Sequence, residues 1–349
     1  MKFVERSLAD ALDFYNGKVA KIDASGEFKV FGSNGEIGFS KEFNHESAII
    51  LGRVGAYCGS VIPSTSRFWA TDNTIVLKPK KNQSLRYWCY RLSNFPLRAF
   101  AGGATQPLMT HGILKGIHLK VHLEFDVQER IANILSAYDD LIENNRRRMA
   151  LLEDSARLFY NEWFVRLRFP GYEHTRIIDG VPEGWEQKTL GECITLNYGK
   201  ALKAEVRIDG EYPVYGSSGI VGSHEKPLVK GPAIILGRKG NVSSVFWSSK
   251  SFHPIDTVYF VSPESSSLYL YYALKHIHFI STDVAVPGLN RNFAYSRLLL
   301  CPPSTLLHAF LETVTLIHAQ LDKLDEINQK LRTARDLLLL CLMSGEIVV

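Results

Sequence analysis

The stretch AIILGRVG at residues 48–55 returns as AIILGRKG at residues 233–240, an offset of 233 minus 48, or 185 residues, in a chain of 349 residues. Its neighbours return in the same order. Residues 15–18 (YNGK), 31–38 (FGSNGEIG) and 72–74 (DNT) correspond to residues 197–200, 215–222 and 256–258, at offsets between 182 and 185. The chain therefore consists of two copies of one design.

The length of the repeat excludes a solenoid, whose units of roughly 20 to 50 residues bury a core only by stacking. A chain of 349 residues with 46% hydrophobic composition suits two domains of ordinary size with connecting elements. We expect each copy to bury a core of its own.

Short apolar runs rich in β-formers alternate with turn signals in each copy, which predicts a curved, mostly antiparallel sheet. Helical stretches follow at residues 84–100 and 266–280. The glycines of the GSNG and GSSG turns are expected to allow positive φ. The predicted class is α+β, with two similar β-rich domains and two long helices.

The two long helices follow from periodicity. From Asp126 to about Arg166 the chain has neither Pro nor Gly, and apolar residues recur at helical spacing. In the second copy, a heptad column of leucine, isoleucine and phenylalanine runs from Phe310 to Leu338. We expect the helices to pair as an antiparallel coiled coil; the alternative is that each packs on its own domain. Asn328 and Arg335 interrupt the second apolar face, and such residues can fix register at some cost in stability.

These patterns place the boundaries of five segments. They are a first domain at residues 1–125, a first helix at 126–167, a linker at 168–184, a second domain at 185–303 and a second helix at 304–349.

Positive charge is concentrated on the two predicted domains. Residues 1–125 hold 16 Lys and Arg against 10 Asp and Glu, and residues 185–303 hold 12 against 9. Each helix has a net charge of −2, from 6 against 8 and 4 against 6. This division favours domains that approach polyphosphate, although a charge of +3 is also common in proteins that bind no nucleic acid.

The sequence contains no phosphate-binding loop, nucleophile elbow, zinc-protease helix or dinucleotide-binding glycine pattern, so we expect no catalysis and no metal site. Five widely spaced cysteines argue against a disulfide framework. No apolar run of membrane-spanning length and no signal peptide is evident, which predicts a cytoplasmic protein.

An arginine follows the repeated apolar strand in both copies, between two glycines. The absence of a side chain on those glycines lets backbone approach another molecule closely. Arg53 and Arg238 would then contact phosphate or a guanine edge of DNA. The alternative is an ion pair inside each domain, with Asp72 or Asp256.

The order of domain, long helix, domain and long helix, together with the motifs above and PEGWEQKTLGE at residues 182–192, resembles the specificity subunit of type I restriction-modification systems. The resemblance implies that each domain reads one half of a bipartite double-stranded DNA target, while the helices set the spacing between half-sites. It further implies a non-catalytic chain that recruits two methyltransferase subunits and, through them, restriction subunits. S-adenosylmethionine and ATP with Mg²⁺ would belong to those partners, with no cofactor in this chain. The first copy departs from the pattern in lacking the PEGW lead.

The candidate DNA-binding residues are those that this reasoning places at matching positions, where Asn and Gln can bond adenine, Arg can read guanine and Lys adds salt-dependent affinity. They are Lys18, Ser33, Asn34, Arg53, Thr105 and Gln106 in the first copy, and Lys200, Ser217, Ser218, Arg238, Lys239, Asn290, Arg291 and Asn292 in the second. The alternative function is a duplicated coiled-coil scaffold that binds protein or carbohydrate ligands without DNA.

Overall fold

The computed structural model describes residues 3–103, 106–277, 279 and 288–349. The chain forms two compact units: Met1–Asn145 with Ile327–Val349, and Arg146–Glu326. Each unit thus contains one copy of the repeat and part of each long helix.

The first unit has eight strands, three short α-helices and two 3-10 helices, Gly55–Tyr57 and Leu97–Phe100, within its described residues. The strands are β1 (Phe3–Ser7), β2 (Leu12–Asn16), β3 (Phe28–Gly32), β4 (Gly35–Ser40), β5 (His45–Gly52), β6 (Val61–Ala70), β7 (Thr74–Pro79) and β8 (His118–His122). The short helices are α1 (Leu8–Ala11), α2 (Leu85–Ser93) and α3 (His111–Lys115), and the long helix α4 (Phe125–Tyr160) follows.

Six of these strands form one sheet in the order β2-β7-β5-β6-β3-β4, antiparallel except for the parallel pair β3 and β6. The repeated AIIL segment lies in β5 near the middle of this sheet. Ile49 and Leu51 face a core that includes α2, α4 and the end of the last helix, while Ala48 and Ile50 face a second cluster on the opposite side. A strand buried on both faces requires a continuous apolar run, and this explains the motif.

The second unit repeats this layout with shorter strands. They are β9 (Ile177–Ile178), β10 (Val181–Pro182), β11 (Glu186–Thr189), β12 (Leu196–Tyr198), β13 (Tyr212–Gly216), β14 (Gly219–His224), β15 (Ala233–Gly237), β16 (Val245–Ser248), β17 (His253–Pro254), β18 (Val258–Val261) and β19 (Leu298–Cys301). The helices are α5 (Leu190–Cys193), α6 (Leu268–His276), α7 (Arg291–Tyr295) and the long α8 (Ser304–Ser344).

The sheet of the second unit is divided where that of the first is continuous. The ten-residue β6 pairs with both β5 and β3, whereas β16 pairs with β15 and the separate β17 pairs with β13. The result is a four-stranded sheet β12-β18-β15-β16 and a three-stranded sheet β14-β13-β17. The AIIL strand β15 nevertheless has the same two buried faces as β5. The predicted α+β class with two similar β-rich domains is confirmed.

The two long helices pair in antiparallel sense within the first unit, as predicted. The side-chain amide of Asn145 donates to Asn328 at 3.0 Å, and Arg335 donates to Asp139 at 2.5 Å. Because Asp139 precedes Asn145 in α4 while Arg335 follows Asn328 in α8, the two helices run in opposite directions. Asn145 and Asn328 are 3% and 1% exposed, so this amide pair is a polar contact inside an apolar seam. The predicted interruptions of the heptad face are therefore both polar contacts between helices.

Aromatic side chains fill the helix contact of the second unit. Phe310 of α8 is fully buried, and its ring lies 5.3 Å from that of Phe159 and 4.9 Å from that of Phe164, centre to centre. Phe164 belongs to a π-helical turn, Asn161–Val165, that extends α4. Packing of this kind is stabilised mainly by apolar area.

The segment predicted as a linker has structure of its own. It contains the β9–β10 hairpin, and Phe169 is buried against Trp185, with ring centres 5.0 Å apart. Both residues belong to the core of the second unit. No helix within the described ranges is long and apolar enough to span a bilayer.

Candidate nucleic-acid interface

Arg53 and Arg238 are held by the same backbone hydrogen bonds in the two units. The N–H of Arg53 donates to the carbonyl of Asn73, and that of Arg238 to the carbonyl of Thr257, both at 2.9 Å. Each arginine carbonyl then accepts from the return loop, at 2.8 Å from Met109 in one unit and from Leu289 in the other. The two arginines are structurally equivalent, as the repeated sequence predicts.

The hairpin turn between the third and fourth repeated strands reaches the same end of each sheet. The hydroxyl of Ser33 donates to the carbonyl of Asn73 at 2.5 Å, and the N–H of Ser217 donates to the hydroxyl of Thr257 at 3.3 Å. These bonds tie the turn to the residues that hold the arginine. Asn34 and Ser218, at the tips of the turns, are exposed. The glycines that follow, Gly35 and Gly219, have φ of 106° and 102°, which confirms the expected turn geometry.

Lys18 and Lys200 follow glycines at positions of very close backbone approach. A Cβ on Gly17 would lie 1.9 Å from the carbonyl oxygen of Thr71, and one on Gly199 would lie 2.1 Å from that of Ile255. The two lysines are exposed and donate from their backbone N–H groups to equivalent carbonyls at 2.9 Å. The glycines therefore fix where the lysines leave the sheet.

In the second unit, several candidate residues surround a cavity of about 280 Å³. Its lining combines aromatic rings, cations and amides from the strand end and the return loop: Tyr198, Arg238, Lys239, Tyr259, Gly288, Leu289, Asn290, Arg291 and Asn292. The guanidinium carbon of Arg238 lies 4.8 Å from the ring centre of Tyr198, and that of Arg291 lies 5.2 Å from it. Lys200, Ser217 and Ser218 do not line this cavity.

The proposed ion pairs of the repeated arginines with Asp72 or Asp256 do not form. Arg238 instead donates from Nη1 to the backbone oxygen of Asp256 at 3.0 Å, and neither Arg53 nor Arg238 contacts a carboxylate within the described part of the chain. Burial raises the pKa of the Tyr259 hydroxyl, and the adjacent Arg238 acts in the opposite direction. Uncompensated guanidinium groups beside aromatic rings can bind phosphate or a base edge.

The first unit has different side chains around its arginine. Asn16 occupies the position of Tyr198, and His111 lies where Arg291 lies in the second unit. The pKa of His111 is lowered by burial and further by Lys115 and Arg53. Gln106 is exposed, and its amide nitrogen is 3.8 Å from the position that a Cβ on Gly55 would take. Thr105 lies outside the described residues.

The correspondence expected between the two return loops is shifted by several residues. Because Met109 and Leu289 make equivalent hydrogen bonds, Asn290 matches Thr110 and not the Thr105-Gln106 pair. Both side chains cap the short helix that follows: Thr110 accepts from Ile113 N–H at 3.2 Å, and Asn290 accepts from Asn292 and Phe293 N–H at 2.8 and 3.2 Å. The offset between the copies is 185 residues at the arginine and 180 residues in the loop, so the second copy has five fewer residues between these two points.

The sequence profile of the family described as the type I restriction modification DNA specificity domain matches this chain twice, over residues 3–154 and 182–292. The two matches together span well over half of the chain. The chain belongs to this family. The resemblance on which the sequence interpretation rested is therefore confirmed.

Three curated relatives carry related names. The specificity subunit of the type I restriction enzyme MjaIX of Methanocaldococcus jannaschii is 31% identical over 107 residues, or 30% of this chain and 24% of that protein. The EcoprrI specificity subunit of Escherichia coli is 30% identical over 115 residues, or 33% and 28%. A putative type I specificity subunit of Mycoplasma genitalium is 26% identical over 231 residues, or 62% and 58%. The chain thus spans between about a quarter and three-fifths of these relatives.

The fold also has a solved counterpart. A crystal structure of a type I restriction-modification S subunit from M. genitalium superposes with a TM-score of 0.64 at 20% identity, covering 98% of this chain and 96% of that chain. At this identity the similarity establishes the fold of the specificity family and no individual residue role.

Two residues near the candidate interface of this family member were not among the sequence candidates. Tyr198 lies inside the repeated motif, and its ring is 48% exposed, so that a ligand can reach it. His111 was overlooked because only the hydrogen bonds of the return loop place it beside the position of Arg53. An aromatic next to a Gly-Lys pair is a usable signal for the first, whereas no sequence signal identifies the second.

Proposed function

We propose that this chain is the DNA-specificity subunit of a type I restriction-modification system and that each of its two domains reads one half of a bipartite duplex target. Residues 1–125 and 185–303 would be the target-recognition domains. Residues 126–167 and 304–349 would be the helices that set the gap between half-sites and dock two methyltransferase subunits, with residues 168–184 between the two halves. The chain itself would be non-catalytic.

The observation that carries the proposal is the duplicated arginine. Arg53 and Arg238 have the same backbone hydrogen bonds, lie at the same end of equivalent sheets and make no ion pair within the described residues. Both arginines are half-buried, so each still reaches the surface of its domain. A polyanion that approaches both sites supplies the missing partner.

The remaining candidates fit two roles around these arginines. Lys18, Lys200 and Lys239 are exposed cations suited to phosphate contacts, which give affinity without sequence information. Asn34, Gln106, Ser218, Arg291 and Asn292 are the polar side chains at the turn tips and return loops that can reach base edges. Ser33, Ser217 and Asn290 would act mainly by shaping those loops, since each is engaged in the hydrogen bonds that hold them.

The function is tested by mapping DNA methylation genome-wide in cells that contain the chain with its methyltransferase subunits, and in cells without the chain. A two-part motif that appears only in the first case supports the proposal. Its absence, together with no affinity of the complex for duplex DNA, would favour the protein-binding or carbohydrate-binding scaffold instead.

The same cells can carry Arg53→Ala and Arg238→Ala separately. We expect each substitution to weaken recognition of one half-site only and to reduce binding by about 1 to 3 kcal/mol. Arg157→Ala is the matched control, because Arg157 is exposed on α4 and paired with Asp154 at 2.8 Å. Equal losses from all three variants would contradict a specific role of the repeated arginines.

A further inference from the structure

We propose that Arg238 reads a guanine in the half-site bound by the second domain, and that Tyr198 is a positioning residue that holds the guanidinium for this contact. The inference rests on the proposed function and goes beyond it by naming one base of the target, a guanine.

The side chain of Arg238 is restrained from three directions. Its guanidinium carbon lies 4.8 Å from the ring centre of Tyr198 and 5.7 Å from that of Tyr259, and Nη1 donates to the carbonyl of Asp256 at 3.0 Å. A guanidinium has five N–H donors in a fixed fork, and this hydrogen bond uses one of them. The group is thus oriented before any ligand arrives, while donors remain for that ligand.

The backbone of Arg238 is equally constrained. Its N–H and carbonyl are bonded to Thr257 and Leu289 at 2.9 and 2.8 Å, directly after a strand that is buried on both faces. Recognition of a base edge requires placement of this accuracy, because the hydrogen bonds to the base are directional. Contacts to phosphate can be supplied by the exposed Lys200 and Lys239.

The positive charge of the arginines around Tyr198 also favours a ligand edge that carries hydrogen-bond acceptors. Arg291 lies 5.2 Å from the same ring, and neither arginine forms an ion pair within the described part of the second unit. Two cations at one ring are held there against their mutual repulsion. The O6 and N7 atoms of guanine form the acceptor pair that matches an arginine fork.

The first domain lacks this arrangement. Asn16 takes the place of Tyr198, His111 that of Arg291, and no aromatic ring is stacked on Arg53 among the described residues. The inference therefore applies to one half-site only, and the other half-site of the same molecule serves as an internal control.

The experiment uses the full chain in complex with its methyltransferase subunits. Duplexes carrying the mapped motif receive 7-deazaguanine, which lacks N7, at each guanine of the second half-site in turn. We expect one of these replacements to weaken binding by about tenfold, within the range for loss of a specific base contact. Arg238→Ala removes the guanidinium fork, and the binding of this variant should be insensitive to that replacement.

Tyr198 is tested with a conservative pair of variants. Tyr198→Phe retains the ring and should keep the guanine preference of the wild type. Tyr198→Leu should relax the preference at that single position, leaving the salt dependence of binding and the specificity for the first half-site unchanged. Because the other positions of the second half-site must still be recognised, a misfolded second domain is distinguished from a change of preference at one position.

Retention of the guanine preference in Arg238→Ala, or insensitivity of the wild-type complex to every 7-deazaguanine probe, would overturn the inference while leaving DNA recognition intact. If Arg238→Ala only lowers the salt dependence, with all bases tolerated as before, Arg238 contacts phosphate and the inference is wrong. Absence of any two-part motif or duplex affinity in the wild type would instead remove the proposed function itself.

Discussion

The first unit has polar contacts between its long helices within an apolar seam, and the second has aromatic rings at the corresponding contact. Asn145 with Asn328, and Asp139 with Arg335 and Tyr90, lie between elements of the first unit, while Phe310 lies among Phe159, Trp163 and Phe164 in the second. The recognition ends differ too, with a tyrosine between two arginines in one and an asparagine and histidine in the other. Duplication has preserved backbone positions and has let side-chain chemistry diverge.

The largest expected effect breaks the aromatic contact. Phe310→Ala should lower the stability of the second unit by about 3 to 5 kcal/mol, because a fully buried ring leaves a cavity. Hydrogen exchange of the two units measures this loss separately. Leu316→Ala, on the same helix at 66% exposure, is the control and should have little effect. A comparable loss from both variants would show that the aromatic packing is not what stabilises this unit.

The next effect should be the same in both units. Gly17→Ala and Gly199→Ala each place a methyl group about 2 Å from a backbone carbonyl oxygen, and each should cost about 3 kcal/mol in the unit that contains it. Gly112→Ala is the matched control, since the nearest atom to its Cβ would be the Thr110 hydroxyl at 3.8 Å. Hydrogen exchange measured during thermal unfolding would report the loss of stability in each unit. Unequal losses in the two units would argue against a preserved backbone at this position.

A smaller effect is expected at the buried amide pair. Asn145→Ala removes the donor to Asn328 and should cost the first unit about 2 kcal/mol, since a buried polar partner loses a hydrogen bond. The double change Asn145→Leu with Asn328→Leu should cost less than the single change, because neither amide of this pair is then left behind in the apolar seam. Asn144→Ala, at an exposed position, controls for helix propensity. Urea unfolding measures the stability of each variant. A double variant less stable than Asn145→Ala would contradict the cost assigned to the unpaired amide.

The smallest effect concerns pH. Burial, and then the nearby Lys275, lowers the pKa of His318 to about 4. Since the folded state disfavours the protonated imidazole, its contribution is complete above the ordinary pKa near 6.5 and is lost as pH falls toward 4. Between pH 7 and pH 5 the second unit should lose about 1 kcal/mol through this group, after allowance for partial exposure.

His318→Gln removes that titration. Stability measured against pH in urea should therefore fall less steeply in the variant than in the wild type over this interval. His174→Gln, at an exposed site, should leave the slope unchanged. Identical slopes in the wild type and His318→Gln would contradict the lowered pKa.

Sequence reasoning was most successful where periodicity is strong. The heptad column placed α8, which begins at Ser304, and its face is buried at Phe310, Val314, Leu321 and Leu324. It was less successful in α4, where Leu141 is one of the apolar residues at helical spacing and yet is 45% exposed. The segment at residues 168–184 is rich in turn-forming residues and its pattern predicts a linker, yet its Phe169 joins the core by packing on Trp185 of the second domain.

The sequence by itself determined that the chain is duplicated, that AIIL is a buried strand followed by an equivalent arginine, and that two long amphipathic helices follow the domains. These properties depend on local periodicity and on comparison of one copy with the other. Only the tertiary structure decided which side chains surround each arginine, that the return loops match with a shifted offset, and that the first sheet is continuous while the second is divided. Those features arise from contacts between residues distant in the chain, which no pattern of neighbours encodes.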